Sequence, residues 1–367
     1  MMNYLESKER IIIGSQLQRA RELLRFTPEE VAVEIGATSQ DIINWEQEKS
    51  RPKLKQLEDL ARFYAREIDY FLRETPAPPT DIEFRGKSGL SLRDLSRETR
   101  IILSKFDELC RNDLEFDMLL NKKVDIKLPG ILKGEPPYEA AKVLRKNFNA
   151  NDKPLFDLRD RLEEEGMRIF ELPVLDESFS GFSFWHNEYG PCILLNAKEP
   201  RGRKNFTLAH ELAHILYTDG SSICYIPSKY DESYKGIEYK ANQFAVEILL
   251  PKTGVIEDFK KRNYPNMPTE KELAQMASKW GVSIQALGYR LENLSLIVSG
   301  ITDTFIESKP KHLRPPKIPA WQRQLGKRYI KNSIDAYKMN LISLSKLAHS
   351  LRLPIRRALE IVEQKGK

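Results

Sequence analysis

Phe206-Thr207-Leu208-Ala209-His210-Glu211-Leu212-Ala213-His214-Ile215-Leu216-Tyr217 is the stretch from which the rest of the chain can be read. Its apolar residues crowd nearly every side, which describes a helix buried in a core. A helix turns about 100° per residue, so His210 and His214 stand one above the other on one face. Their imidazoles can converge on one Zn²⁺, and Glu211 sits one step round from them. Burying two histidines and a glutamate with nothing to bind would be costly. The hydrolytic chemistry this spacing serves uses the imidazoles to fix a metal with an open position for water. The neighbouring carboxylate takes the proton as that water attacks a carbonyl.

Catalytic zinc sites usually take three protein ligands, so one more is needed. No His-x-x-Gly-x-x-His extension follows His214; the next residues are Ile215 to Gly220. A carboxylate on a following helix fits, and Glu238 to Leu250 reads as one, with Ala241, Phe244, Ala245, Ile248 and Leu249 as its buried stripe. Small Ala241 and Ala245 permit close approach to the histidine helix. Glu238 lies beside that stripe. Glu247 lies off it and is expected in solvent; Asp219, Asp231 and the soft ligand Cys224 remain alternatives. Tyr217, Tyr225, Tyr230 and Tyr234 are candidates for stabilising a developing oxyanion. His186, His312 and His349 lack ligand-like neighbours and are expected as surface or core histidines.

The surroundings of this helix are mixed. Short apolar or alternating runs at Met167–Leu172, Phe182–Trp185 and Cys192–Asn196 read as strands. Helices are expected over Tyr138–Phe148, Pro154–Gly166 and Thr269–Trp280, with 91–121 as one long amphipathic helix. Thr269-x-x-Glu272 is a capping box, and the chain from Leu273 to Leu291 reads as a helical hairpin broken at Gly281. Leu291–Val298 fits strand or helix. The expected fold class is mainly α with a small β-sheet: an all-α N-terminal domain, an α+β zincin-like domain and a helical C-terminal region. The boundaries fall at 8–73, 74–130 (a Pro-rich linker and the long helix), 131–300 and 301–367. No internal repeat is evident.

The chain has 367 residues, 41% of them hydrophobic and 31% charged, the balance of a soluble globular protein. No apolar run is long enough to span a bilayer, and the N-terminus lacks the basic start and apolar core of a secretory signal. Three scattered cysteines argue for free thiols in a reducing compartment. The expected location is the cytoplasm, with no membrane partner. Net charge is +6, and from residue 301 onward bases exceed acids by about ten. That surplus suits an acidic partner or nucleic acid, or is simply a solvated helical face.

Near the N-terminus, Gly14–Leu24 reads as a helix with Leu17, Ala20, Leu23 and Leu24 on one face. Thr27-Pro28-Glu29-Glu30 opens the next with a capping box, and Gly36 ends it. Ser39–Glu46 follows after a tight turn, with Ser39, Gln40 and Asn44 expected exposed, where side chains can meet base edges in a major groove.

Two resemblances emerge. The run 206–214, followed by Glu238-x-x-Ala241-Asn242-x-Phe244-Ala245 and Leu249-Leu250-Pro251, resembles the ImmA/IrrE family of zinc-dependent peptidases. The likeness extends over about residues 130 to 300, through Ala141, Leu144-Arg145, Gly166-Met167-Arg168-Ile169, Gly181-Phe182-Ser183, Ile193–Asn196, Val282-Ser283 and Arg290-Leu291. It implies His210, His214 and Glu238 as zinc ligands, Glu211 as catalytic acid/base, and a repressor protein as substrate. Residues 10–72 resemble the XRE-like (Cro-type) helix-turn-helix family. That implies Ser39, Gln40 and Asn44 as base readers, with Arg51, Lys53 and Lys55 near phosphates. Pro28 stands where many members carry a phosphate-holding Gln, and acids balance bases in this segment, so non-specific phosphate affinity is modest. The alternative is a helical module for protein contact or dimerisation, which makes a homodimer a second partner expectation. The rival for the whole chain is a non-catalytic transcriptional regulator or antitoxin-like protein whose zincin fold only binds a partner. The tail Ser343–Ala348 and Leu353–Arg357 also has a helix-turn-helix cadence, of the kind that usually serves packing.

Overall fold

The computed structural model describes residues 13–66, 68–72, 95–122, 134–176, 179–186, 188, 190–217, 222–225, 232–264, 266–306 and 319–364. They form eighteen helices and four strands, and they divide into two compact units. The first comprises residues up to 84 and 89–109; the second comprises 85–88 and everything from Cys110 onward.

The first unit holds α1 (Ile13–Leu23), α2 (Pro28–Ile35), α3 (Ser39–Glu46), α4 (Leu54–Tyr64), α5 (Ile68–Leu72) and the first half of α6 (Arg97–Leu119). Thr27 and Glu30 close the capping box that the sequence signals, and Gly36 ends α2 in the left-handed conformation. Leu17, Ala20, Leu24, Val31, Ile42, Trp45, Leu57, Leu60 and Phe71 make its core; Leu23 is only half-buried. Arg21 forks onto Glu46 at 2.6 and 2.8 Å, tying α1 to α3. The buried pair Arg66–Asp107, at 2.7 Å, fastens α6 in the same unit.

The second unit adds α7 (Pro137–Asn147), α8 (Leu158–Glu164), β1 (Arg168–Leu172), β2 (Phe179–His186), β3 (Gly190–Asn196), α9 (Arg201–Tyr217), β4 (Ser222–Tyr225) and α10 (Glu232–Leu249). It continues through α11 (Lys252–Arg262), α12 (Glu270–Trp280), α13 (Ile284–Asn293), α14 (Ile301–Ile306), α15 (Ala320–Leu325), α16 (Lys327–Lys338), α17 (Leu344–Ser350) and α18 (Ile355–Gln364). The sheet order is β1-β3-β2-β4, with β1 parallel to β3 and the other pairs antiparallel. Strand register sorts the side chains. Ile169, Ile193, Leu195, Gly181 and Ser183 share one face; Phe170, Leu194 and Phe182 share the other. The first face carries α9; α10 packs behind α9, and α7 packs on α10. On the second face Phe170 meets Tyr329 of α16 edge-on at 5.3 Å, and Phe116 of α6 meets the same ring at 5.5 Å. Covered on both sides, β1 and β3 are buried at every position.

The basic C-terminal region is built into this unit. Arg328 ion-pairs with Asp113 and Asp117 of α6, and Arg168 of β1 reaches the same Asp117 at 2.7 Å. Asn332 donates to Asp117 at 3.1 Å, and Lys346 lies 3.4 Å from Glu115. Part of the tail's positive charge is thereby consumed by internal acids, and neither solvent nor a nucleic acid is needed to account for it.

Several expectations need correcting. Leu291–Val298 is the end of α13 and the turn after it, with no strand. Strand β4 and helix α11 had no sequence counterpart, and the tail carries four helices where two or three were expected. Lys309–Pro319 lies mostly outside the described residues. A structural repeat also emerges. The α2–α3, α12–α13 and α17–α18 hairpins each turn on a left-handed residue: Gly36, Gly281 and Arg352. In each, the next amide bonds back to the carbonyl of a buried alanine: Ala37 to Ala32 at 3.0 Å, Val282 to Ala277 at 3.1 Å and Leu353 to Ala348 at 2.9 Å. Too few positions recur for this to register as a sequence repeat.

Candidate metal centre

Helix α9 is buried at every residue from Thr207 to Leu216, as its apolar surroundings require. It presents His210 and His214 towards α10 and Glu211 towards β2. Helix α10 answers with Glu238, whose approach is permitted by Ala241 and Ala245, both fully buried in the same core. The carboxyl-terminal end of α10 is anchored by two buried arginines. Arg145 of α7 donates to the Ile248 carbonyl. Arg290 of α13 donates to the Leu250 carbonyl at 3.0 Å and to Glu247 at 2.8 Å. These bonds occupy carbonyls that a helix end leaves open. They also correct the expectation for Glu247, which is paired with Arg290 and not solvated.

The three donors converge. His210 Nε2 and His214 Nε2 lie 3.0 Å apart. Glu238 Oε2 is 3.1 Å from the first and its Oε1 is 3.0 Å from the second. Among the described residues this is the one His/Cys/Asp/Glu group whose ligand atoms all fall within 4.8 Å of one another. Asn242 Oδ1 lies 3.0 Å from His210 Nδ1. A proton on Nδ1 serves that bond and leaves the Nε2 lone pair facing inward. Facing lone pairs repel unless a cation lies between them. For bonds of 2.0–2.2 Å, tetrahedral zinc requires ligand atoms about 3.3–3.6 Å apart, a little more than the 3.0–3.1 Å seen. Two imidazoles and a carboxylate are also the donor set zinc favours.

Glu211 is completely buried. Burial raises its proton affinity above that of an ordinary glutamate, against a hydrogen bond from Ser183 that lowers it. A carboxylate of raised basicity suits general-base work. Ser183 Oγ donates to Glu211 Oε2 at 2.5 Å. Ser183 and Asn242 were not assigned roles from sequence spacing. They stand 28 and 32 positions from their partners, and only the tertiary fold joins them.

The other candidates separate. Asp219, Asp231, Tyr230 and His312 lie outside the described residues, as do the side chains of Cys224, Tyr225 and Tyr234. Tyr217 packs edge-on against Phe244 at 6.2 Å, and its hydroxyl is buried, so burial raises its pKa to about 12. His186 is buried on β2 and its Nδ1 accepts the Glu188 amide at 3.1 Å; His349 is exposed. Cys110 and Cys192 are buried and in no disulfide. In the first unit Gln40, Arg51, Lys53 and Lys55 are exposed, whereas Ser39 and Asn44 are half-buried, contrary to expectation. Asn44 accepts from Gln40 at 3.0 Å, so these two side chains satisfy each other. No helix of the described residues is long and apolar enough to cross a membrane.

Comparison with known families matches residues 162–292 to a peptidase-family model described as the IrrE N-terminal-like domain. The match covers β1 to α13 and includes His210, Glu211, His214 and Glu238. No curated protein matches the chain.

Proposed function

We propose that this chain is a zinc-dependent endopeptidase that cuts a peptide bond in a partner protein, a transcriptional repressor being the expected class, and that its N-terminal helices bind DNA. The observation that carries the peptidase reading is the convergence of His210, His214 and Glu238 within 3.0–3.1 Å beside the buried Glu211. The family match over the same residues supports it. Zinc held by these three side chains supplies Lewis acidity, polarising a carbonyl and bringing the pKa of water towards about 7. The chain's own groups do the rest. His210 Nε2, His214 Nε2 and a Glu238 oxygen would hold the ion, and Asn242 would keep the His210 ring in the tautomer that binds. Glu211 accepts a proton on its carboxylate and passes it to the leaving amine.

DNA binding is supported by the α2–α3 hairpin, by exposed Gln40 and by exposed Arg51, Lys53 and Lys55. Gln40 and Asn44 would exchange their mutual bond for bonds to base edges.

The test is incubation of zinc-loaded wild type and Glu211→Gln with the proteins encoded beside this gene. One discrete product with wild type and none with Glu211→Gln is the expected result. A regulatory effect that survives Glu211→Gln, with no cleavage of any such protein, would instead identify a non-catalytic regulator.

A further inference from the structure

Glu211 is approached from the sheet side by two small residues of β2, Gly181 and Ser183. At Gly181, a Cβ would lie 2.6 Å from Thr207 Cγ2 and 3.1 Å from Glu211 Oε1. The bare backbone is what lets the strand come this close. Two residues on, and on the same face, Ser183 carries just enough side chain for its hydroxyl to reach Glu211 Oε2 at 2.5 Å. That length falls in the range of charge-assisted O–H···O⁻ bonds. Ser183 itself is 1% exposed.

We infer that Ser183 is a positioning residue for Glu211: by holding Oε2 on β2, it fixes the orientation in which the carboxylate meets a ligand on the metal. This rests on the peptidase reading above. A glutamate has three rotatable side-chain bonds, and burial alone leaves more than one rotamer open. One short hydrogen bond to a hydroxyl on a strand flanked by β3 and β4 removes that freedom. Ser183 has no hydrogen bond to His210, His214 or Glu238 among those described, so its loss should act on ligands that meet Glu211 and leave metal binding intact.

Acetohydroxamate is the probe, because it chelates zinc through two oxygens while sharing a proton with a neighbouring carboxylate. The full chain is prepared as wild type, Ser183→Ala, Glu211→Gln and the double variant. Zinc affinity is measured by chelator competition, thermal stability by melting, and acetohydroxamate affinity of the zinc-loaded forms by calorimetry. The expected result is zinc affinity within threefold throughout, and acetohydroxamate binding weakened about tenfold by Ser183→Ala. In the Glu211→Gln background the same change should cost less than twofold, because the bond it removes acts through Glu211. An equal loss in both backgrounds, or a loss under twofold in the wild-type background, overturns the inference. If Ser183→Ala does not fold, Ser183→Cys, close in shape but a poor donor, takes its place under the same criteria. A wild type that binds no zinc is a different failure; it overturns the metal reading, and this inference falls with it.

Discussion

Arg145→Met should loosen the end of the helix that supplies Glu238. Arg145 is 3% exposed and its guanidinium donates to three main-chain carbonyls, those of Asn151, Ile248 and Lys153. A buried acceptor left without its donor costs about 1–3 kcal/mol, so three of them cost roughly 3–9 kcal/mol. Part is returned, because burying the guanidinium is itself unfavourable; burial pushes its pKa down to about 10. A net loss of about 3 kcal/mol is expected, roughly a hundredfold in an opening equilibrium. The assay is amide hydrogen exchange read by mass spectrometry on the peptide spanning 244–250, which reports opening of α10 without requiring the whole chain to unfold as one. Arg145→Lys should recover little, since one ammonium cannot replace a planar fork serving three acceptors. Protection within fivefold of wild type at 244–250 in Arg145→Met would refute the reasoning.

Asn242→Ala removes the partner of His210 Nδ1, and zinc affinity by chelator competition should fall about 10–100-fold. Arg328→Met leaves Asp113 and Asp117 sharing Arg168, and breaking such a buried group should cost about 3–5 kcal/mol in urea unfolding. Were the tail a detached appendage, that variant would unfold like wild type. Asp258 is raised by burial but lowered further by hydrogen bonds from Lys279 and from Trp280 Nε1 at 2.9 Å, so its net folded pKa lies below the usual value. Its stabilisation is therefore complete above about pH 4 and is lost as pH falls through the depressed folded pKa. The stability gap between wild type and Asp258→Asn should be constant from pH 7 to about 5 and narrow only in more acid solution.

The site was legible where the chemistry is local. His210, Glu211 and His214 occupy one helix, and their spacing alone puts them on adjacent faces. Glu238 was legible through the Ala241/Ala245 stripe beside it. What escaped was set by distant partners or by weak local signals. Helix α9 begins at Arg201, five residues before its apolar stretch, because its first turns are polar. Helix α11 offers only Val255 and Phe259 as sizeable apolar anchors besides Ile256, too sparse a stripe to declare itself. Strand β4 is four residues long, next to a register shift between Phe179 and Gly181, and its place comes from pairing with β2. Ser183 and Asn242 read as ordinary polar residues until the fold sets them against Glu211 and His210. The acidic partners of the basic tail likewise lie more than two hundred residues away on α6.

The central claim is that two imidazoles and one carboxylate share a single zinc ion. Crystals of the zinc-loaded chain, measured on both sides of the zinc absorption edge, test it directly. One anomalous peak should appear about 2.0–2.2 Å from Nε2 of His210, Nε2 of His214 and an oxygen of Glu238. It should persist in Glu211→Gln and vanish in His214→Ala. A fully occupied peak elsewhere, or stoichiometric zinc retained in His214→Ala, would contradict the account.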